Sequence, residues 1–489
     1  MPSYFEDRDS ANDRYSLFER EFQPTDGGTG HEWAGAEGFD APRVSVVDGL
    51  RLHHGIPTGR IGSSTRQIVL PCENSRPLVI DDTSAAVNTL LVGRTRSGKT
   101  TVAKHILNGL SGGANGTRIM SDEDICVVLD VTGEYAALFG RPQDMVIGGK
   151  GSSESATWNL FADLRFGDAE TREYIRNAVG KLLFEKNREH PGANPFFTQG
   201  SRDLFDGVMR LLMKEPDADN ALLVELWKQI TPQRLYEMLR SNEDTFSLAD
   251  YVNPSAPSQA YGLLGSLTPV VKDVFQGSFA RRGTLSIREQ LRKKGGRILF
   301  LDFPVSTGAT LGAGFRILVD LAIREAIAIG EEERRGTGEV KGRCFFLVDE
   351  ASRLGGPLLH LEEGLNTGSQ LGLRFILGMQ SHMQLFEAFG TNASSILAGL
   401  NNVFAFNCTE SETKDFVKRR CGRCTKRLVL KNAGMGDPLQ PVFEADVCGD
   451  RDIWDLRPGE AIVIMPGTLA PFKVRFCDFE AGRGQPGKR

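Results

Sequence analysis

Residues 93–100 read Gly-Arg-Thr-Arg-Ser-Gly-Lys-Thr, which fits G-x-x-x-x-G-K-[ST], and the apolar run Val87–Val92 supplies the strand that should precede such a loop. No other stretch limits the choice of fold as much. Gly93 and Gly98 let the backbone curl without a Cβ, so successive N–H groups along Thr95, Ser97, Gly98, Lys99, Thr100 and Thr101 can face phosphate oxygens. A helix opening at Lys99 adds the positive end of its dipole. Lys99 is expected to reach the β- and γ-phosphates of a nucleotide, and the Thr100 hydroxyl to join the coordination of a Mg²⁺ that keeps most of its waters. An ordinary glycine-rich turn would not need strand, loop and helix in that order.

Further strands follow at spacings that suit a parallel sheet. The helix from Lys99 ends near Ser111-Gly112-Gly113, and Ile125-Cys126-Val127-Val128-Leu129-Asp130 then reads as a strand buried on both faces. This βαβ unit puts Asp130 and Glu134 at the sheet edge where doubly wound folds bind ligands. From Asp168 to Lys294 helical periodicities replace strands, as in Tyr174–Phe184 and Arg202–Met213, and an all-α insertion is expected there. Strand signals return at Ile298–Phe303. A helix through Phe315, Leu318, Val319, Ile323 and Ile327 comes next, and Glu331–Gly342 reads as an exposed connection.

The strand Cys344–Val348 runs directly into Asp349-Glu350, the Walker B pattern. Its first acid is expected to hold the Mg²⁺ shell and its second to polarise an attacking water, which points to hydrolysis rather than to transfer onto a small-molecule hydroxyl. A further strand, Leu373–Gly378, ends in Met379-Gln380-Ser381, where the amide of Gln380 could touch the γ-phosphate or its water.

Composition narrows the class. Hydrophobic residues make up 40% and charged residues 25%, as in soluble globular chains, and no apolar run approaches the roughly 20 residues needed to span a bilayer. A cytoplasmic protein is expected. Residues 1–43 hold ten acids against four basic residues with no apolar core, and read as a disordered arm rather than a secretory signal. A net charge of -5 gives no global attraction to nucleic acid, so binding would need a local basic surface. Lys414–Arg427 offers one, with seven basic residues, Arg419, Arg420 and Arg423 among them, against one acid; a solvated helix face explains the same stretch. Cys421-Gly-Arg-Cys424 is the only C-x-x-C, and the ill-spaced Cys408 and Cys448 make a poor zinc set with it.

These motifs together resemble a type IV secretion coupling protein, a conjugative DNA-pumping ATPase of the TraD/TraG kind in the HerA/FtsK superfamily. The resemblance rests on Gly93–Thr100, Asp130-Val131-Thr132-Gly133-Glu134, Trp158-Asn159-Leu160, Asp349-Glu350, Gly378-Met379-Gln380-Ser381 and Leu456-Arg457-Pro458-Gly459-Glu460-Ala461, and covers about residues 85–480. It implies an α/β fold: a RecA-like P-loop NTPase core with a mostly parallel sheet, interrupted by an all-α insertion domain. The chain would then divide into the acidic arm 1–43, a first part of the ATPase domain 44–167, the all-α insertion 168–294, a second part 295–480 and a flexible tail 481–489. Two departures stand out. Coupling proteins normally carry N-terminal transmembrane helices, which are not found here. Family members often have Gly-Arg where this chain has Gly368-Ser369, and that arginine looks like a finger acting on a neighbour's ATP; Arg374 is the candidate replacement, the alternative being an anchor for the start of its strand.

The function implied is an ATP-driven DNA translocase with Mg²⁺ as cofactor, working as a homo-oligomeric ring, taken as a hexamer, with DNA in its pore and secretion or conjugation machinery as partner. Lys99, Glu350, Gln380 and Arg374 are its expected catalytic residues, Thr100 and Asp349 its metal ligands. A HerA-type motor serving a nuclease in repair or phage defence, and a nucleotide-gated DNA-binding scaffold, remain as alternatives.

Overall fold

The computed structural model describes residues 43–49, 51–56, 67–81, 88–112, 118–131, 133–148, 156–184, 195–303, 308–354, 356–429, 442–466 and 470–479. The expected tail 481–489, and all of the expected N-terminal arm except Arg43, lie outside them. The fold is α/β with a mostly parallel sheet. Contacts divide the chain into two units, one formed by the described residues within 1–106, 378–383 and 401–480, the other by those within 107–377 and 384–400.

In the first unit the strand order is β2 (His53–His54), β15 (Phe472–Arg475), β14 (Glu460–Ile464), β11 (Asn402–Ala405) and β5 (Thr89–Val92). β11 is parallel to β5, with Val403 opposite Leu90, and antiparallel to β14. Every residue of β5 is buried, as its unbroken apolar run requires. Three more strands form a small antiparallel sheet in which β12 (Arg423–Val429) lies between β1 (Arg43–Gly49) and β13 (Val442–Asp446). Early in the chain lie β1, β2 and the antiparallel pair β3 (Gln67–Leu70) and β4 (Leu78–Asp81).

The second unit carries β10 (Leu373–Met379, its last two residues in the first unit), β9 (Cys344–Val348), β6 (Ile125–Asp130), β8 (Arg297–Asp302) and β7 (Met145–Ile147), in that order and all parallel. β6 and β9 are buried along their whole length. Between β7 and β8 the described residues form helices and turns, with one isolated bridge between Trp158 and Leu285. Trp158 and Asn159 organise this region. The Asn159 side chain accepts from Phe161 N–H and caps the helix Leu160–Arg165, while the Trp158 indole donates to the buried Asp163 at 2.7 Å. Ser286 and the backbone of Arg288 donate to the same carboxylate, and Arg288 continues to the buried Glu325 at 2.6 Å.

One expectation is corrected. Glu331–Thr337 is not a connection but the end of the helix Gly308–Thr337. Glu331 pairs with Arg335 one turn on, Glu332 with Arg292 and Glu333 with Lys294, and Gly338, at φ 79°, stops the helix by donating to the Arg334 carbonyl. Charge there stabilises a helix instead of marking a loop. No helix among the described residues is long and apolar enough to cross a membrane.

Candidate nucleotide site

The phosphate loop leaves β5 and enters the helix Lys99–Ser111. Gly93 has φ 154° and Gly98 φ 118°, values a residue with a Cβ rarely adopts. A Cβ on Gly93 would lie 2.7 Å from the Phe406 Cβ and 3.0 Å from the Ser97 hydroxyl, and one on Gly98 would lie 3.0 Å from Gly459. The loop is therefore pressed against its surroundings at both glycines. Lys99 is buried and donates to the Gly93 carbonyl and, at 3.0 Å, to that of Arg94. Arg94, Thr95 and Arg96 are exposed, and Arg96 takes a left-handed φ of 62°. Ser97 Oγ is buried with no hydrogen-bond partner among the described residues. A tight curl, a buried ammonium bent onto carbonyls and an orphaned hydroxyl together suit a phosphate-bearing group, whose oxygens satisfy all three. Thr100 and Thr101 follow in the first turn of the helix, partly accessible.

The rest of the unit holds this loop in place. Arg94 N–H donates to the Asn407 carbonyl at 2.8 Å, and the Asn407 amide donates to the carbonyls of Trp454 and Leu456. Gly459 N–H donates to the Ser97 carbonyl at 2.9 Å. The segment Leu456–Glu460 thus backs the phosphate loop; the family resemblance marks this segment, but a chain separation of more than 350 residues hides its contact with the loop. Gln380 belongs to the same unit. It follows Met379, whose carbonyl accepts from Gly93 N–H at 3.3 Å, so the expected sensor stands one residue from the loop's first glycine.

In the second unit the acids gather at the C-terminal edge of parallel strands. Leu129 of β6 pairs with Val348 of β9, so Asp130 and Asp349 leave neighbouring strands side by side. Asp130 is fully buried and accepts from Ala136 N–H at 2.8 Å; Glu134 is exposed at the start of the helix Glu134–Phe139. Asp302 of β8 lies opposite Asp130, and burial, then the Asp130 charge, raises its pKa. Glu350 is ion-paired to Arg353 at 3.2 Å. The Tyr135 hydroxyl donates to Asp349 at 3.0 Å. Neither Arg353 nor Tyr135 was singled out from sequence, although Tyr135 adjoins the Gly133-Glu134 pair. Among the described residues no three His, Cys, Asp or Glu side chains form a metal-holding group. Mg²⁺ bound through phosphates, waters and one or two protein oxygens needs none.

Arg374 begins β10, and its guanidinium donates to the carbonyl of Ser369 at 2.9 Å and of Leu373 at 2.7 Å. The charge therefore stands beside Ser369, where the family often carries its arginine. The basic stretch is split between two elements. Arg419 is exposed and Arg420 half-buried over the Phe416 ring at the end of the helix Ser411–Cys421, whereas Arg423 opens β12 and pairs with Glu444 at 3.2 Å. Lys418 is held by Asp415 and Asp450, each at 2.7 Å. Cys408, Cys421, Cys424 and Cys448 are buried as free thiols.

Comparison with known proteins adds three findings. A family model described as the type IV secretion-system coupling protein DNA-binding domain matches residues 77–438. Among curated proteins, the coupling protein TraD of Escherichia coli (strain K12) is 26% identical over 295 residues, 58% of this chain and 37% of TraD. The conjugal transfer protein TraG of Rhizobium radiobacter is 34% identical over 101 residues, 20% of this chain and 16% of TraG. The matched part is thus well under half the length of either relative. Among solved structures, the conjugative coupling protein TrwBdeltaN70 in a trigonal form with sulphate has a TM-score of 0.68 at 18% identity, covering 93% of this chain and 98% of that one. TrwB in complex with the non-hydrolysable ATP analogue ADPNP gives the same figures.

Proposed function

Because this chain belongs to the type IV secretion-system coupling protein DNA-binding domain family, we propose that it is an ATP-hydrolysing DNA translocase working as a homo-oligomeric ring, taken as a hexamer, with DNA in its pore. The observation that carries the reading is the phosphate loop, curled at Gly93 and Gly98 around a buried Lys99 and braced by Gly459 and Asn407. The likeness to TrwB, a RecA-like P-loop fold solved with ADPNP, supports ATP as the ligand. TraD and TraG, named for coupling and conjugal transfer, support DNA as substrate and secretion or conjugation machinery as partner, through which the chain would meet the inner membrane. The match to a coupling-protein family favours this reading over a motor that serves a nuclease.

In this reading the backbone N–H groups from Thr95 to Thr101 and the Lys99 ammonium bind the phosphates. Thr100 and Asp349 would hold the Mg²⁺ that neutralises developing charge when bound. Glu350 orients a water and takes its proton once Arg353 yields it, Gln380 senses the γ-phosphate, and Asp130 and Glu134 support the site from β6. Arg374 supplies its charge to a neighbour's nucleotide. The helical stretch 168–294 is taken as an insertion into the ATPase domain. Arg419, Arg420 and Arg423 meet the DNA backbone, Arg419 with least competition because it is exposed.

The test is ATP turnover with and without DNA across a salt series. DNA is expected to stimulate turnover, with stimulation falling as salt rises, and joint replacement of Arg419, Arg420 and Arg423 by Gln should reduce the slope by about two to three charges. Turnover indifferent to DNA would sink the translocase reading; an unchanged slope in the triple variant would return these arginines to a solvated surface.

A further inference from the structure

Tyr135 is 1% exposed, an unusual place for a hydroxyl, and its one recorded acceptor is Asp349 Oδ2 at 3.0 Å. Its position is set from both sides. Gly133, in the left-handed region at φ 73°, turns the chain off β6 into the helix Glu134–Phe139. Asp130 then accepts from Ala136 N–H, one residue beyond Tyr135, and ties the first turn of that helix to the end of β6. Since β6 and β9 run parallel in fixed register, the phenol is delivered to the acid that follows β9. A phenol is a neutral hydrogen-bond donor at physiological pH. A neutral donor aimed at one carboxylate oxygen restricts the rotation of Asp349 without neutralising it.

We propose that Tyr135 is a positioning residue of the nucleotide site, its hydroxyl holding Asp349 in one preset orientation toward the Mg²⁺ shell. The inference rests on the nucleotide reading above and deepens it. Outer hydrogen bonds of this kind orient carboxylates that bind cations, and their loss typically costs about 10- to 100-fold in metal affinity. The Asp-x-x-Gly-Glu segment thereby serves the acid of β9 as well as the sheet edge.

Tyr135→Phe removes one oxygen and keeps the ring. The parent for the test is Glu350→Gln, which should bind nucleotide without turning it over, and the probe is a fluorescent ATP analogue titrated with Mg²⁺. Adding Tyr135→Phe is expected to raise the Mg²⁺ midpoint about 10-fold while leaving analogue affinity in EDTA unchanged. Asp349→Asn should raise the midpoint at least as far. An unchanged midpoint, or an equal loss of affinity with and without Mg²⁺, would overturn the inference while the nucleotide reading stands. A parent whose binding ignores Mg²⁺ would overturn the role of Asp349 and this inference with it.

Discussion

In the proposed site, Lys99 and Glu350 are the two side chains whose chemistry would separate binding from hydrolysis. Lys99 is buried with its ammonium on loop carbonyls, a cation already desolvated and ready to exchange those oxygens for phosphate. Lys99→Ala should therefore abolish detectable ATP binding. Glu350→Gln keeps the shape and removes the base, so it should bind ATP normally and hydrolyse it about 100-fold or more slowly. Equilibrium binding and single-turnover hydrolysis on both variants check this, and near-normal hydrolysis in Glu350→Gln would show that another group takes the proton. Arg353 is relevant because an ion-paired base is a masked one.

At the scale of elements, β6 and β9 are aligned at their entrances by Asp124. Its carboxylate accepts from the Arg343 backbone at 2.7 Å, from the Arg343 guanidinium at 2.8 Å and from Ser121 N–H at 2.7 Å. Burial alone would raise the Asp124 pKa, but the bonds from Arg343 and Ser121 outweigh it and hold the pKa below the ordinary value. The sign follows: the unfolded chain binds the proton more tightly, so this contribution to stability is complete above the ordinary carboxylate range of about 4 and disappears as pH falls through the lower folded value. Asp124→Asn should cost about 3 kcal/mol at pH 7, by taking the carboxylate away from the half-buried Arg343 guanidinium, and should flatten the acid limb of stability below about pH 4. Urea unfolding between pH 2 and pH 7 measures both; parallel acid limbs in the two proteins would refute the assignment. The helix Leu160–Arg165 shows the opposite balance: Asn159 caps it and Asp163 gathers donors from Trp158, Ser286 and Arg288, yet burial outweighs those bonds and pushes the Asp163 pKa up to about 6.

For the whole molecule, the proposed ring requires a charge that acts between subunits. Arg374 has its guanidinium at the Ser369 carbonyl, and in the proposed ring it is the candidate for the charge that position 369 lacks. If it serves a neighbour, Arg374→Ala should bind ATP normally and lose at least about 1000-fold in turnover. Mixing Arg374→Ala with Glu350→Gln subunits should then recover some activity, because some interfaces join an intact Glu350 to an intact Arg374. Full activity in Arg374→Ala would leave the side chain as a brace for the turn at 368–371.

Local chemistry carried much of this protein without tertiary information. The phosphate loop, the buried strands β5, β6, β8, β9 and β10 and the acids at 349 and 350 are short-range patterns: glycines where φ is positive, apolar runs where both faces are covered, carboxylates at strand ends. Each depends on neighbours within a few residues, so sequence alone determined them. What it left open depends on which distant segments meet. Glu331–Thr337 is helical because its acids find Arg292 and Lys294, forty residues earlier in the chain. Part of the basic stretch became β12 because β1 pairs with it across nearly 380 residues. Gly459 lies against Gly98, and Tyr135 reaches Asp349, through contacts that no local window contains. Hydrogen bonds and ion pairs between remote residues have no periodicity to reveal them, and only the folded chain decides which donor finds which acceptor.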